Sequence, residues 1–410
     1  MTEKKHTGFE VLAKETSLYP QEALVKVKTH KASLFIGIPK ETSFQENRIA
    51  LTPDGVNLLA NEGNEIWVET RAGQESKFSD KEYSDAGAKI VYTREDVFHG
   101  DIILKVEPPT VNEISMMKPG RVVISALQLG NQSIDYLNTL NKKKLTAIAY
   151  ELIEDKAGGM PAVRAMSEIA GSTVMLIAAE YLSSVNSGKA SILGGITGIP
   201  PTKVVILGAG TVAEYAARAA IGLGADLQIF DNHLYKLRRL KHALGHLVNT
   251  SIINHVILTD ALKVADVVIG AIRSEKGRNR YVVTEEMVAQ MKPGSVLIDV
   301  SIDQGGCIET SELTTHEKPV FVKYGVIHYC VPNIASRVAR TASTALNNIF
   351  TPMLYQAGEE GGFDEMIFNN HWLMRGVYAY NGNLTNPYIA RKFSMKYKDL
   401  NLLLAARFRL

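Results

Sequence analysis

Apolar residues in this chain gather into short runs of strand length, separated by longer stretches with helical spacing. The runs fall at residues 34–38, 65–69, 88–92, 101–106, 121–127 and 145–150, and most pairs are bridged by an amphipathic segment. Parallel strands need long crossovers, usually helices, so this alternation predicts a parallel α/β sheet. Thr52 followed by Pro53 marks a helix start, a capping residue ahead of a proline at the first helical position. Residues 162–184 read as one long apolar helix joining two domains, and a glycine-rich loop follows at 186–201. The alternation then resumes with strands at 204–207, 227–230, 265–271 and 295–300 and helices at 215–223, 234–247 and 284–291. A last helix is predicted at 339–356, and Ile367, Trp372, Leu373 and Tyr378 in the tail are expected to pack.

The segment KVVILGAGTVAEYAARAAIGLGADLQIFD, residues 203–231, organises the second half. Its apolar strand runs directly into Gly208, Gly210 and Ala213, a G-x-G-x-x-A spacing. The first glycine permits the turn, the second lets a pyrophosphate approach the backbone, and the small third residue packs the helix on the strand. Thr211 and Val212 open that helix, whose N-terminal amides point at the phosphates. Asp231 ends the next strand 23 residues after Gly208, close to the spacing of about 20 expected for the acid that binds the adenosine ribose. The predicted fold class is therefore α/β, with two Rossmann-like doubly wound parallel sheets, one per domain, and a cleft between them. The simpler alternative is an ordinary strand–helix unit in which Asp231 only caps the following helix.

Bulk properties narrow the function by exclusion. The 410 residues suit two domains, and 45 basic against 43 acidic residues leave a net charge of +2, which favours neither nucleic acid nor an acidic membrane. Two cysteines, Cys307 and Cys330, argue for a reducing compartment and are expected to be small buried apolar groups. The amino terminus shows no apolar core of signal-peptide length, so the expectation is a soluble cytoplasmic protein. His328 beside Cys330 has no matching ligands elsewhere, and no metal is expected.

Five longer stretches carry a specific likeness: IGIPKETSFQENRIALTPDGV, AYELIEDKAGGMPAVRAMSEIAG, GGITGIPPTKVVILGAGTVAEYAARAA, MKPGSVLIDVSIDQGGCIETS and HYCVPNIASRVARTASTAL. Through them the chain resembles the alanine dehydrogenase and pyridine-nucleotide transhydrogenase α-subunit family, from about residue 34 to about 354. The resemblance implies a substrate domain at 34–161, an NAD-binding Rossmann domain at 162–338 and a helical return to the substrate domain at 339–410, after an extension at 1–33. It implies NAD as cofactor, a small amino-acid or keto-acid substrate, a homo-hexamer and, in the dehydrogenase branch, reversible oxidative deamination of L-alanine to pyruvate and ammonia. The alternatives are a divergent member acting on another amino or imino acid, a transhydrogenase-like subunit, and a nucleotide-binding regulator that has lost its chemistry.

The same resemblance assigns residues. Arg48 matches the carboxylate-binding arginine, whose planar fork suits a carboxylate. Asp303 matches the active-site aspartate, Ser167 and Asn333 match cofactor contacts, and Ile272 is expected against the cofactor. Lys236, in the basic run 236–242, lies close enough after Asp231 to reach an adenosine phosphate, although such a run is ordinarily the solvated face of a helix. Two departures stand out. Where the dehydrogenases have a catalytic histidine in Leu-His-Leu, this chain has Gln128, and where they have a second lysine, in Lys-Val-Lys-Glu-Pro, it has Glu107. Glutamine is no acid or base near neutral pH, though its amide can donate to a carbonyl. Alternation along a strand would turn Lys105 and Glu107 into the cleft together, where Lys105 could bind substrate and a buried Glu107 could transfer protons. The competing reading is a Lys105–Glu107 surface pair.

Overall fold

The computed structural model describes residues 31–155, 157–272 and 281–406. The extension expected at 1–33 lies, up to residue 30, outside them. The strands in chain order are β1 (Phe35–Ile38), β2 (Glu65–Glu69), β3 (Lys89–Val91), β4 (Ile102–Leu104), β5 (Val122–Ser125) and β6 (Thr146–Ala149). Next come β7 (Lys203–Leu207), β8 (Asp226–Phe230), β9 (Asn249–Ser251), β10 (Val267–Gly270), β11 (Val296–Asp299), β12 (Val320–Lys323) and β13 (Val326–Tyr329). The last two are β14 (Val377–Tyr380) and β15 (Asn383–Leu384).

Two sheets result. The first has the order β15-β14-β6-β5-β4-β1-β2-β3, and the second β12-β13-β11-β10-β7-β8-β9. Both are parallel through their centres and antiparallel at one edge, where β14 joins β6 and β15, and where β12 joins β13. The chain after residue 338 is thus more than a helical return, because β14 and β15 extend the first sheet. Ile36, Leu104, Ile124, Ile206, Ile269 and Ile298 are all fully buried at 3% exposure or less, as apolar strands covered on both faces should be.

Strand order reverses between β1 and β4 in one sheet and between β7 and β10 in the other. At such a switch point the loops leaving the two strands go to opposite faces and leave a crevice at their carboxyl ends. The motif QENRIA follows β1, Lys105 to Glu107 follow β4, the glycine fingerprint follows β7 and Ile272 follows β10. Sheet topology therefore brings these distant segments to one crevice in each sheet.

The helix Pro161–Leu182 sits at the join. By length and composition it is apolar enough to cross a membrane. Here Val174, Met175, Ile177, Ala178 and Leu182 are instead buried in the core of the second sheet, and Ala162 in that of the first. It packs closely on the fingerprint helix Thr211–Gly222: a Cβ on Gly171 would lie 2.4 Å from the Val212 carbonyl oxygen. The helix Ala339–Glu359 brings Leu346, Phe350 and Leu354 back into the first core. Truncating any of these to alanine would remove ~2–5 kcal/mol.

Candidate active site

A cleft of about 350 Å³ opens between the sheets, lined from one side by Arg48, Gln128, Tyr150 and Glu151 and from the other by Val212, Ile272, Asp303 and Asn333. Met166 and Ser167 of the connecting helix form its floor. Of the residues expected at the site, Arg48, Gln128, Ser167, Val212, Ile272, Asp303 and Asn333 meet here. Asp303 stands in the turn Ile302–Gln304 just after β11.

Arg48 is 7% exposed, and its fork is already engaged. Nε donates to Glu46 Oε1 at 2.7 Å and Nη2 to Glu46 Oε2, while Nη1 points at the Met166 sulfur, 3.3 Å away. Glu46 therefore occupies the Nε and Nη2 side of the guanidinium, and Nη1 is the nitrogen left on the Met166 side of the cleft. Asn333, from the second sheet's side, donates to Glu46 Oε2 at 2.9 Å. Glu46, only two residues from Arg48, escaped attention in the sequence because nothing local distinguishes it from a solvated loop carboxylate.

Glu107 stands just behind the wall, with Oε1 3.5 Å from Arg48 Nη2 and Oε2 accepting from Gln128 Nε2. Gln128 holds its side chain there from a left-handed backbone conformation, φ 46° and ψ 55°. Burial, with the charge of Glu46 adding to it, raises Glu107 to about 7 against the opposing pull of Arg48. Burial acts on Glu46 in the same sense, but Arg48 outweighs it and holds Glu46 below the ordinary carboxylate range. Of the two acids, Glu107 is the one whose hold on a proton is raised toward neutral pH.

That proton predicts a pH effect. The folded chain keeps a proton that the unfolded chain releases above the ordinary value of 4.5, so the Glu107 contribution to stability is complete below about pH 4.5 and lost as pH rises to about 7. Glu107→Gln should flatten stability against pH across this window by up to a few kcal/mol. Denaturant unfolding at fixed pH values measures it, and an unchanged slope would place the proton elsewhere.

Lys105 does not reach the cleft. It is 1% exposed, and Nζ is drawn to Glu41 at 3.0 Å and Glu113 at 3.5 Å. β4 ends at Leu104, so strand alternation does not carry Lys105 and Glu107 to one face; the surface-pair alternative fails as well, since both are buried. His328 is a packing residue: its ring nitrogens meet Thr310 Oγ1 at 2.8 Å and the Val326 carbonyl at 2.9 Å. Cys307 and Cys330 are free and buried.

The nucleotide side fits a dinucleotide. Gly208 has φ +104°, and a Cβ there would lie 2.4 Å from the Ala271 carbonyl, whereas a Cβ on Gly210 would meet nothing, so backbone at Gly210 is open to a phosphate. Thr211 is the first residue of the helix behind it. Asp231 directly follows β8 and is 8% exposed, with Oδ2 accepting from the Ala209 amide at 2.8 Å and Oδ1 meeting the His233 amide at 2.8 Å and the His233 ring Nδ1 at 3.0 Å. A carboxylate has about four acceptor positions, so capacity remains beyond these three contacts for a ribose hydroxyl. Lys236 lies in the first turn of the helix Leu234–Leu244, and Arg239 of that helix ties back to the Ala209 carbonyl at 2.9 Å.

Comparison with known proteins agrees with this layout. The chain matches the models of the alanine dehydrogenase/PNT N-terminal domain over residues 37–170 and C-terminal domain over 174–387. It is 38% identical over 366 residues to alanine dehydrogenase 2 of Staphylococcus aureus strain USA300, covering 89% of this chain and 98% of that one. A solved L-alanine dehydrogenase superposes with TM-score 0.81 at 34% identity, covering 88% of this chain and 99% of that one. A transhydrogenase from Sinorhizobium meliloti superposes at 0.74 with 26% identity, covering 86% and 99%. With both family models matched end to end along the described sheets, the chain belongs to the alanine dehydrogenase/PNT family.

Proposed function

We propose that this chain is an NAD-dependent alanine dehydrogenase, converting L-alanine reversibly to pyruvate and ammonia. The observation that carries the reading is the meeting of Arg48 and Asp303 in one small cleft against Val212 and Ile272, beside the glycine fingerprint. At about 350 Å³ the cleft is at the low end of the ~300–1,000 Å³ usual for ligand sites, which suits a short side chain. The chemistry supplied by a bound nicotinamide is acceptance of hydride from the substrate's α-carbon. Gly208, Gly210, Thr211, Val212 and Asp231 would hold the nucleotide, with Ser167, Lys236, Ile272 and Asn333 as further contacts. Arg48 Nη1 binds the substrate carboxylate end-on, and Asp303 stabilises positive charge at the α-nitrogen. Glu107, held by the Gln128 amide, stands beside Arg48 as the acid that can carry a proton there. The domain limits at 34–161, 162–338 and 339–410, a cytoplasmic setting and a homo-hexamer belong to the same proposal. Exposed Leu176, Ile192 and Ile199 supply apolar surface for assembly.

The test is reduction of NAD by purified protein with L-alanine and with a panel of other amino acids. L-alanine should exceed the others at least tenfold in kcat/KM, and Asp303→Asn should lose turnover while still binding NADH. A different preferred amino acid would transfer the assignment to a divergent member, a reading favoured by the closed Arg48 fork and by Gln128 and Glu107. No turnover with any would leave a nucleotide-binding relative without this chemistry.

A further inference from the structure

One carboxylate in the cleft wall is anchored at one oxygen and left over at the other. Glu151, in the turn Tyr150–Leu152 directly after β6, accepts the backbone amides of Leu127 at 2.7 Å and Gln128 at 3.2 Å on Oε1. Its Oε2 is buried and has no hydrogen-bond partner among the described residues, although the side chain lines the cleft. Buried polar atoms are almost always paired, and an exception in a ligand cleft points to a donor that arrives with the ligand.

The neighbouring carboxylates on this side are already committed. Glu46 is taken by Arg48 and Asn333, and Glu107 by Gln128 and Arg48. Glu41 serves Lys105 and the Val106 amide. The cleft contains no histidine among the described residues that line it. An amino acid held at Arg48 by its carboxylate brings ammonium N–H donors into this wall, whereas a keto acid brings none.

We propose that Glu151 Oε2 receives an N–H of the substrate's amino group and takes its proton, as the general base of the reaction. The step is a plain proton transfer: the substrate N–H bond breaks, an O–H bond forms on Glu151, and the neutral amine's lone pair becomes available to assist departure of hydride from the α-carbon. The double anchor at Oε1 fixes the carboxylate for this task and holds Gln128 in its left-handed turn. Burial raises the Glu151 carboxyl, and the backbone amides restrain the shift, which brings it closer to neutral pH than a solvated glutamate. The titratable groups coupled to it are the hydroxyls of Tyr136, Tyr150 and Tyr378, all kept neutral by burial.

This inference rests on the amino-acid dehydrogenase reading, and the experiment separates the two. Glu151→Gln keeps an oxygen for the Leu127 and Gln128 amides but cannot take a proton; Glu151→Asp keeps a proton acceptor. In the full-length protein, Glu151→Gln should bind NADH as the wild type does, lose at least a hundredfold in kcat with L-alanine, and lose the acidic limb of kcat/KM against pH. Glu151→Asp should retain that limb at reduced rate. A Gln variant within threefold of wild type, or an Asp variant as inactive as the Gln variant, would overturn the proposal. A binding arm decides the matter without turnover: with NADH present, Glu151→Gln should weaken L-alanine at least tenfold and leave pyruvate unchanged. Equal L-alanine affinity in the two proteins overturns the role of Glu151, while a wild type that binds L-alanine but turns over no amino acid overturns the dehydrogenase reading instead.

Discussion

Arg48→Met will remove activity and destabilise the fold together, and restoring the second will not restore the first. The guanidinium is buried between Glu46, whose side chain is 1% exposed, and Glu107, whose side chain is 11% exposed. Its removal leaves the Glu46 carboxylate buried beside Glu107 without its cation, and breaking a buried pair from one side typically costs ~3–5 kcal/mol. Adding Glu46→Gln to Arg48→Met should recover most of that loss, because an amide needs no counter-charge and can still meet Asn333. Turnover will stay absent, since the substrate carboxylate has lost its cation. Denaturant unfolding and steady-state kinetics on the single and double variants measure the two effects. A double variant as unstable as the single one would show that Arg48 contributes by packing and not by charge.

Gly208→Ala and Gly210→Ala should fail in different ways. At Gly208 the backbone has φ +104° and the added methyl would meet the Ala271 carbonyl oxygen at 2.4 Å, so β7 and β10 must be forced apart at the end that holds the nucleotide. Overpacking of this kind costs ~1–3 kcal/mol, to which backbone strain adds. Stability and NADH affinity will both fall, the affinity by at least tenfold. At Gly210 a methyl meets no protein atom, so the fold should hold while the methyl stands where a pyrophosphate approaches. NADH titration beside thermal unfolding tests the contrast. Equal loss of stability in the two variants would remove the distinction between a glycine needed by the chain and one needed by the ligand.

Much of the fold was legible because its signals are local. Strands covered on both faces are apolar nearly throughout, and β1, β5, β6, β10 and β11 fall inside their predicted runs, while the half-buried β2 spans the predicted 65–69 with alternating burial. The strand–turn–helix of the fingerprint needs two glycines and a small residue at set spacing, and it identified the nucleotide side without any long-range information. Elements at the margins were not legible. β9 is a three-residue partly exposed strand, the helix His255–Val264 has Val256 and Ile257 exposed, and β12 alternates poorly. β14 is apolar throughout, but its partner is β6, more than two hundred residues earlier, and no local pattern announces such a pairing.

The amino-acid sequence by itself determined the class of fold and the cofactor side, because the alternation of apolar runs and the glycine spacing each have few structural solutions; Arg48 and Asp303 were assigned as cleft residues through the family resemblance of the stretches that carry them. Only the tertiary structure decided how the charges are distributed. Whether Lys105 faces substrate or Glu41, whether Glu46 closes the Arg48 fork and whether Glu151 keeps an oxygen to spare all depend on which carboxylate reaches which cation once both are buried. A buried charge must find a partner, and the partner is chosen by distances of a few ångströms between segments far apart in the chain. Nothing in the local sequence encodes those distances; the order of strands in the first sheet does.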